Sequence, residues 1–133
     1  MEGVSEKVKA ETVQSFRSTI RKLENAFDQM SGKGANTTLV EKRLRAMKTG
    51  LVVLDAAWHQ KPLQCGSRDI SMTRTVLEGL LPSVGEAYTR SKEGSPQRTL
   101  LKRRIRSIEL AIQAMDELDE GQLPHVRDGF NDR

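Results

Sequence analysis

Residues 13–30 read VQSFRSTIRKLENAFDQM. Within them Val13, Phe16, Ile20, Leu23, Phe27 and Met30 follow one another at steps of 3, 4, 3, 4 and 3. A helix turns once in about 3.6 residues, so this heptad-like seam places all six side chains on one face. The positions between them are polar or charged, apart from Ala26. The spacing predicts a helix from near Ser5 to near Met30. Its apolar face has to be covered by other elements of the same kind.

Three further stripes supply them. Ser31 to Thr37, with two glycines and an asparagine, reads as a loop. Thr38 is then the expected N-cap, with Glu41 three residues on as in a capping box. Val40, Leu44, Met47, Leu51, Leu54 and Trp58 follow at steps of 4, 3, 4, 3 and 4. Leu39, Val52, Val53, Ala56 and Ala57 widen that stripe, so the second helix is expected to be the most buried. It should end before Pro62, because proline disfavours helix at the residue preceding it. A loop is expected over 62–68, with Asp69 or Ser71 capping a third segment that carries Met72, Val76, Leu77, Leu80, Leu81, Val84 and Tyr88. Pro82 interrupts it, and a kink or two short helices is expected near residues 78–82. Ser95-Pro96 starts the fourth helix as N-cap and first-turn proline. Leu101, Ile105, Ile108, Ile112 and Met115 form its seam, and Gly121 is the expected C-cap.

Connections of roughly 5 to 10 residues favour antiparallel neighbours. The sequence therefore predicts an all-α, antiparallel up-down-up-down four-helix bundle. Residues 1–121 form its single domain and residues 122–133 a flexible tail. A second copy of the chain is an alternative cover for the same stripes.

Composition narrows the class. The chain has 133 residues, 30% charged and only 4% aromatic, with one cysteine and a net charge of +4. Cys65 has no intramolecular disulfide partner, which fits a reducing compartment and a cytoplasmic location. Met1 to Glu6 shows no basic stretch leading into an apolar run, so no signal peptide is expected. The longest uninterrupted apolar run, Leu51–Leu54, is far too short for membrane insertion. Asn36-Thr37-Thr38 matches a glycosylation sequon and is read as coincidence.

Charge is unevenly placed. Arg98, Lys102, Arg103, Arg104 and Arg106 fill the first half of helix 4, while Glu109, Asp116, Glu117, Asp119 and Glu120 fill its second half. The helix macrodipole prefers the reverse. In the alternating bundle the start of helix 4 joins the start of helix 2, which carries Lys42, Arg43, Arg45 and Lys48. These nine cations form the expected basic pole, an anion- or partner-binding end.

The residues exclude much chemistry. Glu-x-x-His pairs of a di-metal bundle cannot form, because Ala56 and Gln122 stand three residues before His59 and His125. His59, at a helix end, is misplaced for phosphotransfer. Gly32-Lys33-Gly34 lacks the phosphate-loop glycine and hydroxyl, whose places hold Phe27 and Gly34. Trp58, Tyr88 and the methionines Met30, Met47 and Met115 sit on apolar seams as core. Cys65 is a loop thiol near Arg68, read as inert. No metal, cofactor or catalytic set is expected. The reading is a non-enzymatic protein-interaction module, a small regulator, adaptor or chaperone-like protein, with nucleic-acid binding through the basic pole as the alternative.

Overall fold

The computed structural model describes residues 3–119, and its regular elements are four helices: α1 (Glu6–Gly32), α2 (Thr38–His59), α3 (Ser67–Arg90) and α4 (Pro96–Asp119). Local chemistry sets their ends. Ser5 caps α1, its hydroxyl accepting from the Val8 N–H at 3.2 Å. Ser95 does the same for α4 through the Arg98 N–H at 3.1 Å. α1 runs two residues beyond Met30, and Gly34, at φ 71°, turns the chain away.

The cap of α2 is Thr37 rather than Thr38. Asn36 Oδ1 accepts the Thr38 N–H at 2.9 Å, and the Thr37 hydroxyl donates to the Glu41 carboxylate at 2.6 Å, so the expected capping box does not form. Likewise α3 begins at Ser67 behind Gly66, ahead of the expected Asp69 or Ser71. It continues unbroken through Pro82 to Arg90, so it is one helix and not two. Proline removes one backbone bond, but Leu80 and Leu81 pack on the core and hold the helix there. The expected cap at Gly121 and the tail 122–133 lie outside the described residues.

The core joins Phe16 of α1, Met47, Val53 and Leu54 of α2, Leu77 of α3, and Ile108 and Met115 of α4. α2 packs on α4 across the centre, and this pair keeps α1 and α3 from touching. Gly50 lets α2 lie close to α1: a Cβ there would stand 2.9 Å from the Phe16 ring.

Specific pairs fix which ends meet. Lys9 lies over the Trp58 ring and Lys48 pairs with Glu24, joining the start of α1 to the end of α2 and the reverse. Arg74 pairs with Asp116, and Arg98 packs on Tyr88, joining the opposite ends of α3 and α4. The start of α3 lies against the start of α2, where Asp69, Met72 and Thr73 share a small cavity with Lys42, Arg45 and Ala46. Glu11 and Ser15 of α1 meet Arg103 and Ser107 of α4, first half against first half. Strict up-down-up-down alternation would put the end of α3 beside the start of α2, and the end of α1 beside the start of α4.

Residues 60–66 link α2 to α3. Leu63 among them is 1% exposed and Cys65 packs on the core, while Gln60, Lys61, Pro62 and Gln64 are exposed. Eight residue steps from His59 to Ser67 reach roughly 26–29 Å, most of the length of α2.

Candidate interaction surface

The start of α2 presents its cations along a groove. Lys42, Arg45 and Lys48 recur every three residues and share one side of the helix. With Thr38, Glu41 and Thr49 they line an open groove of about 800 Å³, whose apolar surfaces are Phe27, Leu44 and Met72. Met72 is 44% exposed and neighbouring Leu39 56% exposed. Arg43 is exposed beside the groove and outside its lining. Lys48 reaches Glu24 at 3.4 Å, a half-exposed pair worth about 0–1 kcal/mol. Lys42 and Arg45 carry the rest of the rim charge against Glu41.

The cations of α4 sit elsewhere and do different work. Arg98 lies 4.1 Å from the Tyr88 ring centre and donates to the Tyr88 and Ser91 carbonyls at 3.1 and 3.0 Å. It serves the last carbonyls of α3. Arg103 pairs with Glu11 at 3.2 Å. Arg104 is half-buried, and its Nε has no acceptor among the described residues. Burial holds its guanidinium below the usual pKa. Lys102 and Arg106 are exposed.

The cations of α2 neighbour Phe27, Glu24 and Met72, while those of α4 neighbour Tyr88, Ser91 and Glu11. Sixteen residues of α3 separate Met72 from Tyr88, about 24 Å along its axis. The charge order of α4 also finds its reason here. Its basic start lies against the carbonyl end of α3, and Asp116 near its acidic end meets Arg74 near the start of α3. Arg98 meets the carbonyl end of the neighbouring helix, where a cation is favoured, while Asp116 meets a side-chain cation.

Phe27, Leu44 and Met72 read as core in the sequence, yet they floor an open groove. A second groove of about 410 Å³ lies between α1 and α2, along Val13, Ile20, Leu51, Val52 and Trp58. On its rim, His59 Nδ1 stands 2.9 Å from Asp55 Oδ1 and Lys61 Nζ 3.0 Å from Oδ2. The Lys61 hydrogen bond is the largest cause holding the Asp55 carboxyl below its usual pKa, with His59 adding to it.

Among the described residues no group of three His, Cys, Asp or Glu side chains is placed to hold a metal ion, and no helix is long and apolar enough to cross a membrane. His125 lies outside those residues. Compared with known proteins, the chain matches no family model, no curated protein and no solved structure.

Proposed function

We propose that this chain is a non-enzymatic protein-interaction module, a small regulator, adaptor or chaperone-like protein, that docks an acidic, apolar-faced segment of a partner at the start of α2. One observation carries the reading: the groove combines an apolar floor of Phe27, Leu44 and Met72 with a rim of Lys42, Arg45 and Lys48. Burying such a floor contributes roughly 25 cal/mol per Å² of apolar surface. The rim selects the sign of the partner and speeds encounter. An amphipathic helix with acids flanking its apolar residues has that complementary pattern. A nucleic-acid backbone would use the rim and leave the floor in water.

We also infer the order up, down, down, up for the four helices, with α3 bent at Pro82 where one backbone bond is lost. In that order the groove opens at the end shared by the starts of α2 and α3 and the end of α1.

A photocrosslinking residue in place of Thr49 tests the reading. The expected result is a single protein partner, joined through an acidic segment, with capture at least tenfold weaker after Lys42→Glu with Arg45→Glu. Met72→Asp should weaken capture similarly. Capture indifferent to both changes would overturn the proposal. So would absence of a protein partner together with oligonucleotide binding that falls steeply as salt rises.

A further inference from the structure

The groove between α1 and α4 is a separate feature from the docking surface, and its reading does not depend on that proposal. About 100 Å³ in volume, it is lined on one side by Leu100 and Leu101 and otherwise by polar side chains, among them Ser15, Lys22, Arg103 and Arg104, with Glu11 at its side. A space of that size suits one tetrahedral oxyanion and is too small for a peptide. Arg104 has the unusual chemistry. Its side chain is half-buried, its Nε–H meets no acceptor, and no carboxylate pairs with it among the described residues. The nearby acid, Glu11, is taken by Arg103 at 3.2 Å. A buried guanidinium is ordinarily paired, because the planar fork loses its water without replacement. Ser107 donates to the Arg104 carbonyl at 2.9 Å and stands 3.3 Å from the Ser15 hydroxyl, which fixes the backbone of α4 against α1 at this point. The groove thus offers a half-buried guanidinium on a fixed stretch of backbone, two flanking cations and hydroxyls, against a single carboxylate already in use.

We propose that this groove binds a phosphate-type oxyanion, with Arg104 as its principal donor and Arg103, Lys22 and the Ser15 hydroxyl completing the site. A free phosphate ion and a phosphate monoester on a larger ligand present the same group. Ordered phosphate would give the Arg104 Nε–H the acceptor it lacks.

The Arg104 Nε–H signal in a nitrogen–proton correlation spectrum tests this on the wild-type chain, with Arg104→Lys for assignment. Inorganic phosphate, glycerol phosphate and chloride are titrated at matched ionic strength. The expected result is a saturable shift of that signal with phosphate or its ester, absent with chloride, and at least tenfold weaker binding in Lys22→Gln with Arg103→Gln. Tighter binding of the ester than of the free ion would assign the phosphate to a larger ligand, and equal binding would assign it to the ion itself. No saturable shift with either anion, or a shift equalled by chloride, would overturn the site.

Discussion

Gln60 follows α2 at φ 53° and ψ 40°, the left-handed conformation that usually falls to glycine. Its N–H and that of Lys61 both return to the Ala56 carbonyl, so the chain must turn there. A side chain in this region costs about 1–2 kcal/mol, and glycine loses part of the relief to its freer unfolded chain. Gln60→Gly is expected to raise stability by roughly 0.5 kcal/mol in urea unfolding, with the slope unchanged. Capping chemistry at this scale is partly legible in the sequence. Ser5 and Ser95 cap as their types suggest, because a hydroxyl preceding an amphipathic run has one obvious use. The Thr37–Thr38 pair was ambiguous by type, and the Asn36 side chain decides it by taking the Thr38 N–H. Gln60 carried no such signal, since nothing in its identity asks for a positive φ.

At the scale of the elements, the four amphipathic stripes locate the four helices to within a few residues. Pro82 shows where local reasoning stops: the helix persists with Leu80 and Leu81, just ahead of the proline, packed against the core. The charge order of α4 is legible only as a puzzle, since its own dipole opposes it and the answer lies in α3. Arg98 is the residue that links them, with its guanidinium on the Tyr88 and Ser91 carbonyls. Arg98→Ala is expected to cost about 1–2 kcal/mol, the scale of a charge-assisted hydrogen bond with partial exposure. Hydrogen exchange should quicken selectively over residues 88–95, where the end of α3 and the start of α4 depend on that contact. Uniform acceleration through the bundle would argue against a capping role.

For the whole molecule, loop length alone does not set helix direction. The seven residues of the 60–66 link fit a hairpin or a return along α2 equally well. The order proposed above takes the return along α2, with Leu63, 1% exposed, tying the link to the core. Its burial cannot be read from a seam, since it belongs to no helix. The cations follow the topology. They are recognisable by type in the sequence, but their division between two ends depends on which way α3 runs. Electron–electron double resonance between nitroxides at Arg43→Cys and Lys102→Cys, in a Cys65→Ser background, measures that division. The two ends stand about 24 Å apart along α3, so the account predicts a distribution centred at roughly 25–35 Å. A distribution centred below about 20 Å, with both labels at one end of the bundle as a single basic pole requires, would contradict it.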